Sequence, residues 1–394
     1  MKYLKNSVVV IFITIYIFNN TNLAIYFPIS GVVSQLVTYA SMFLICILST
    51  KGIKVESTIF LVLLAAVLSL ITNDVAAKFN APVRLLLWVL LISSVGPLLY
   101  NYALIRLRNK LFEIFLFLFM MIGGFSFIYW LLGIPSLGRG HFSGITNHSM
   151  IFAPVASLGG LYAFYRFIHE PIRKKKYLFL LFFIASILDV VLSASRTSLI
   201  GFIAGFLTFL IFNKFRYQKL ILIGVILLSL GTVLTMGDDA TNEDSSGIQG
   251  EMLSRGDVNT REALWNDRIN EFFGSPIFGV GFASQHNSFI DENKDENMEG
   301  QVEPGSTYLM ILSMTGLMGG SAFLWLILKA SLNKSFLRHI VIVESYKLAA
   351  YVFFAIHFIA EGYLYAAGSF MACIFWLLVG ATYPYPNINY KNIL

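Results

Sequence analysis

The chain alternates long apolar runs with short polar breaks. Twelve runs stand out, at residues 7–24, 28–49, 56–73, 82–103, 111–132, 149–168, 177–194, 198–213, 219–236, 307–330, 347–365 and 367–384. Each approaches the length a helix needs to cross a bilayer. The first is interrupted by Asn19, Asn20, Thr21 and Asn22. Met1 to Lys5 ahead of it resemble the start of a signal peptide, but no small-residue cleavage site follows, so the segment reads as an uncleaved anchor. The pattern predicts an all-α polytopic integral membrane protein of about twelve transmembrane helices with one large outer loop. The first nine helices fall in 1–236, the loop is 237–306, and the last three helices fall in 307–394.

Composition agrees with the pattern. Of 394 residues, 57% are hydrophobic and 13% charged, about half the charged share of a soluble domain. An ordinary soluble enzyme and a disordered chain are both excluded. Cys46 and Cys373 each lie in an apolar run, so there is neither a disulfide framework nor a cysteine metal site. The net charge of +6 at first suggests a polyanionic partner. With the N-terminus placed inside, however, 20 of the 28 Lys and Arg residues fall on inside segments and 8 on outside ones. That bias predicts an N-in, C-in topology. The cations are spread over many short loops, which removes the case for nucleic acid.

The 70-residue loop 237–306 differs from the others. It holds 15 of the 22 acidic residues against 4 basic ones, a net charge of −11. Segments 237–250 and 291–302 are polar and almost free of large apolar residues, which predicts disorder there. The aromatic-rich part from 257 to 290 should fold. Within it, Asn259 or Thr260 can cap a helix that Gly274-Ser275-Pro276 ends. On that helix Arg261, Trp265, Arg268 and Phe272 share one face. Two guanidinium groups flanking an indole suit phosphate binding. The same face also suits an amphipathic helix anchored at the membrane surface.

Other candidates are scattered. Arg196 sits in an outer turn, against the charge bias. Asp189 lies seven residues back on the same helical face, in position to hold it. Arg139 opens a glycine-containing outer loop that runs to Asn147-His148-Ser149, a glycosylation sequon. His357 and Glu361 are four apart, so they can form a mutual hydrogen-bonded pair or line a polar cavity, and the structural role is the simpler one. His286 and Glu303 are the candidate bases of the large loop. No Ser-His-Asp, HExxH, cysteine-cluster or Walker pattern occurs.

Taken in order, these signals resemble a known family. Arg261 and Trp265 are followed by Pro276, Gly279 and Gly281 of a Pro-Ile-Phe-Gly-x-Gly segment. A span then opens with Ser306-Thr307-Tyr308-Leu309 and runs into Thr315-Gly316-Leu317 and Gly319. The set resembles the bacterial O-antigen polymerase and O-antigen ligase superfamily. The Ser195-Arg196 turn and the Arg139–Gly144–Asn147 loop fall where that family has smaller outer-loop motifs. The resemblance implies a multi-pass protein of the bacterial cytoplasmic membrane with its active site on the periplasmic side. It implies a glycosyltransferase without metal or other cofactor. Its partners would be membrane lipid and undecaprenyl-pyrophosphate-linked glycans as donor and acceptor, and a chain-length regulator is left open. Arg196 and Arg261, then Arg139 and Arg268, would bind the departing pyrophosphate. Asp189, Trp265, Tyr308 and Asn287 would support them. The ligases place a His-Asn pair just before the Tyr-Leu span, where this chain has Gly305-Ser306. Its own His286-Asn287 is separated from that span by the acidic 291–302 segment. The departure leaves His286 or Glu303 as the base and favours a polymerase over a ligase. A lipid-linked glycan flippase and a non-catalytic scaffold are the readings from other classes.

Overall fold

Hydrocarbon offers no water to backbone groups, so a spanning segment must satisfy them internally, and a helix does so. The computed structural model describes residues 2–27, 29–49, 52–72, 80–134, 136, 142–212, 258–284, 305–332 and 344–385. Its helices are α1 (Lys2–Asn20), α2 (Leu23–Tyr26), α3 (Gly31–Ile47), α4 (Ser57–Thr72), α5 (Ala81–Ser94), α6 (Tyr102–Leu131), α7 (Ser149–His169), α8 (Arg173–Leu192), α9 (Arg196–Phe212), α10 (Val258–Gly274), α11 (Thr307–Ser331), α12 (Ser345–His357) and α13 (Phe370–Thr382). Two short strands, β1 (Lys54–Val55) and β2 (Leu99–Tyr100), pair antiparallel. The fold is that of a helical membrane protein, and α6, α7 and α11 are each long and apolar enough to cross a bilayer.

Eleven of the twelve apolar runs coincide with helices, and the ninth, 219–236, lies outside the described residues. Two runs end early. The run 82–103 stops being helical at Ser94, because Gly96-Pro97 cannot continue it. The run 347–365 stops at His357, and the next twelve positions turn without regular structure.

Long-range hydrogen bonds sort the helix ends into two sets. At one end Glu56, before α4, accepts from Lys329 of α11 at 3.0 Å and from Tyr383, past α13, at 2.8 Å. Arg108 of α6 is fully buried there. It donates to the carbonyls of Ser93, Ser94 and Leu99 and to Tyr385, so it satisfies carbonyls that α5 leaves open at its C-terminus. Lys347 of α12 donates to Asn109 at 2.6 Å and to Glu344 at 2.8 Å. At the other end Asn147 donates to the carbonyl of Asn19 at 2.9 Å, and Asn22 N–H donates to Ile145 O at 2.8 Å. The polar stretch that interrupts the first apolar run is thus where the chain pairs with the loop before α7.

The stretch after α10 enters the bundle. Val280 N–H donates to Ser313 O at 2.8 Å and Gly281 N–H to Met314 O at 3.3 Å, while Leu317 N–H donates to Pro276 O at 2.8 Å and Met318 N–H to Ile277 O at 3.3 Å. These bonds are possible because α11 breaks at Gly316 (φ 62°, ψ −165°), which frees its backbone groups for the loop. Irregular backbone at this depth is tolerated where protein covers it. The loop then seats Phe282, which is fully buried, against Trp88 at 5.8 Å and Tyr365 at 4.8 Å between ring centroids.

Candidate active site

Four elements meet at the second end of the bundle: the turn into α9, α10, the start of α11, and the segment after α12. The turn comes first. Helix α8 stops at Leu192, Ala194 adopts φ 54°, and α9 begins at Arg196. The break removes the shared helical face from which Asp189 was expected to hold Arg196. Arg196 is exposed, at the positive N-terminal end of α9. Asp189 is fully buried beside Gly123, and neither of its carboxylate oxygens has a hydrogen-bond partner among the described residues.

The turn is tied across the bundle. Ser195 Oγ donates to Ser198 Oγ at 3.0 Å, and Ser198 Oγ lies 3.2 Å from His357 Nε2. His357 Nδ1 lies 2.9 Å from the hydroxyl of Tyr363. Both imidazole nitrogens are therefore engaged, with Ser198 and Tyr363. His357 and Glu361 do not share one helical face: α12 ends at His357, and Glu361 follows in the turns beyond, its N–H donating to His357 O at 3.1 Å. Two neighbouring carbonyls hold the start of α11. Thr307 N–H donates to Phe358 O at 2.9 Å, Thr307 Oγ1 to Glu361 O at 2.6 Å, and Ser306 Oγ to Phe358 O at 3.2 Å. Tyr308 is partly exposed and donates to Ala355 O at 2.8 Å.

Helix α10 completes the cluster. Trp265 Nε1 donates to Gly305 O at 3.2 Å, which fixes the helix against the start of α11. Arg268 departs from its expected role on an open cationic face. Its guanidinium is 1% exposed and turned inward, where Nη1 donates to Glu271 at 2.8 Å and reaches Ser284 O and Ser313 Oγ at 3.4 Å. Burial lowers its pKa, and Glu271 opposes the shift. Arg268 thus braces α10, the buried loop and α11 together. The i,i+3 spacing of Arg268 and Glu271 was the sequence signal for this pair. On the outward side, Ile269, Phe273 and Ile277 form an exposed apolar stripe.

The backbone of Arg261 lies in the first turn of α10, but its side chain is outside what the structure describes. Arg139, His286, Asn287 and Glu303 also lie outside the described residues. Spacing alone did not reveal Ser198 and Tyr363, which surround His357 only because the helix ends and the chain turns back.

The site thus belongs to a helical membrane protein in which the turn carrying the exposed Arg196 is linked to the aromatic helix α10 through α12 and the start of α11. Residues 181–324 match the family model described as O-antigen ligase, so this part of the chain carries that family's domain. The matched stretch runs from within α8, through the Arg196 turn, to the broken helix α11, which is consistent with the resemblance to the O-antigen polymerase and ligase superfamily. No curated protein matches the chain.

Proposed function

We propose that the protein is a membrane glycosyltransferase that polymerises undecaprenyl-pyrophosphate-linked oligosaccharide units into O-antigen or a related surface polysaccharide. The observation that carries this reading is the chain of bonds just described. The Arg196 turn is bonded to α12, the segment after α12 holds the start of α11, and α11 holds the helix that carries Arg261. The N-in, C-in topology puts this end on the outer side of the bacterial inner membrane and the Lys- and Arg-rich end in the cytoplasm. The apolar stripe of α10 suits a helix lying at the membrane surface, close to a lipid-borne pyrophosphate.

In the reaction, a hydroxyl of the acceptor sugar attacks the anomeric carbon of the donor. The bond from that carbon to the pyrophosphate oxygen breaks, and negative charge builds on the leaving group. Arg196, reinforced by the N-terminus of α9, and Arg261 stabilise that charge without a metal, with Arg139 in support. His286 or Glu303 serves as base in this scheme. Gly305-Ser306 stand where the ligases have their base motif, and the acidic 291–302 segment separates His286-Asn287 from the span, which supports polymerase over ligase.

Deleting the gene and sizing the surface glycan tests the proposal. A single-repeat product supports the polymerase. Complete loss of linkage to lipid A core indicates the ligase, which is the second reading. Unchanged glycan length contradicts both.

A further inference from the structure

A line of hydroxyls runs from the exposed turn to a buried imidazole. Ser195, half-buried beside Arg196, donates to Ser198 at 3.0 Å. Ser198 is fully buried, and its oxygen is 3.2 Å from His357 Nε2. Because Ser198 accepts from Ser195, its own proton is free to point at Nε2. That orientation leaves the imidazole proton on Nδ1, where it donates to the Tyr363 hydroxyl at 2.9 Å. The ring is 2% exposed and stacks on Phe353, with centroids 5.2 Å apart. Every bond in the line can therefore run in one direction, from the turn inward, and the imidazole is fixed on both sides.

We propose that Ser195, Ser198 and His357 form a proton relay that accepts the proton of an attacking carbohydrate hydroxyl docked at the Arg196 turn. The inference rests on the glycosyl-transfer reading above and supplies the proton acceptor from within the helix bundle, in place of the His286 or Glu303 of that scheme. As the acceptor oxygen bonds to the anomeric carbon, its proton passes to Ser195 Oγ. The Ser195 proton moves to Ser198, and the Ser198 proton to His357 Nε2. The bond between the anomeric carbon and pyrophosphate breaks, and the leaving group takes the electron pair. The imidazolium that results keeps its Nδ1–H on Tyr363. No oxidant or further reactant is needed. His357 acts through the two serines, so it is a positioning and proton-holding residue. The titratable and charged groups beside it are Tyr363 and Glu361 from the segment after α12, with Tyr308 of α11 acting on Tyr363.

The test uses the full-length protein in proteoliposomes with an undecaprenyl-pyrophosphate-linked oligosaccharide as donor and acceptor. His357→Gln keeps hydrogen-bonding capacity on the ring's two sides but cannot take up a proton. The relay predicts that His357→Gln and Ser198→Ala lower kcat by about 10²–10⁴-fold, the usual contribution of a general base, with donor KM changed less than threefold. The wild type should show a rise of rate with pH that vanishes in His357→Gln. Ser195→Ala should lose rate and Ser195→Thr should recover it. Tyr363→Phe removes the acceptor of Nδ1–H and so destabilises the imidazolium. Its pH limb should move to lower pH, a readout that remains if His357→Gln fails to fold. Wild-type rates and an unshifted pH limb in Tyr363→Phe and Ser195→Ala, with an active parent protein, would overturn the relay alone. A wild-type protein that transfers to no carbohydrate acceptor would overturn the relay together with the glycosyl-transfer reading.

Discussion

Replacing Gly316 with Ala probes the joint between the buried loop and α11. At φ 62° and ψ −165°, Gly316 occupies a region essentially confined to glycine, where another residue costs about 1–3 kcal/mol. A Cβ at this position would sit 2.2 Å from Ile277 O and 2.7 Å from Phe278 N, so the backbone must separate. Overpacking of this kind costs about 1–3 kcal/mol. Separation also strains the Leu317–Pro276 bond at 2.8 Å and the Met318–Ile277 bond at 3.3 Å, each worth about 1 kcal/mol. Allowing for overlap between these effects, the loss is roughly 3–6 kcal/mol, a large fraction of the 5–15 kcal/mol that typically holds a protein folded. Thermal unfolding of the detergent-solubilised protein, followed by tryptophan fluorescence and by recovery of monodisperse material, measures it. Gly274→Ala is the control, because nothing lies within 4 Å of a Cβ there. If Gly316→Ala melts with the wild type and with Gly274→Ala, the loop is not locked into the break of α11, and the argument fails.

Three further outcomes follow from the same geometry. Glu271→Ala strands the buried Arg268 charge and should destabilise by about 3–5 kcal/mol; the double variant Arg268→Met/Glu271→Leu should melt higher than Glu271→Ala in the same assay. Phe282→Ala empties the space between Trp88 and Tyr365 and should cost about 3–5 kcal/mol, measured by the same unfolding transition. Arg196→Gln, at an exposed position, should leave the melting temperature unchanged while lowering glycosyl transfer by about 10²–10³-fold, the range seen when one donor to a developing negative charge is removed; near-normal transfer would remove Arg196 from the site.

Hydrophobic periodicity made most of the helices legible, because a run of Leu, Ile, Val and Phe has one stable backbone state in hydrocarbon. It misjudged ends set by a few residues. Gly96-Pro97 stopped α5, and the chain left α12 at His357 inside an apolar run. The Arg196 turn was legible as a cation on the wrong side of the charge bias. Its relation to Asp189 was not, because helical spacing presumes a continuous helix and the left-handed Ala194 breaks it. Arg268 shared a face with Trp265 as expected, yet that face packs inward against α11, and only the fold decides which face is covered. The Pro-Ile-Phe-Gly-x-Gly segment was recognisable as a pattern. Its physical reason, a backbone ladder onto a broken helix, needs both segments in view. The link between Ser198, His357 and Tyr363 joins three segments and leaves no periodic trace.

The central claim is that this protein extends a glycan carried on lipid pyrophosphate. The most direct measurement incubates the purified protein in proteoliposomes with undecaprenyl-pyrophosphate-linked repeat units and sizes the products by electrophoresis and mass spectrometry. The account predicts a ladder of lengthened lipid-linked glycans that collapses to single repeats with Arg196→Gln. Unextended repeat units, or transfer only to a lipid A core acceptor, would contradict it.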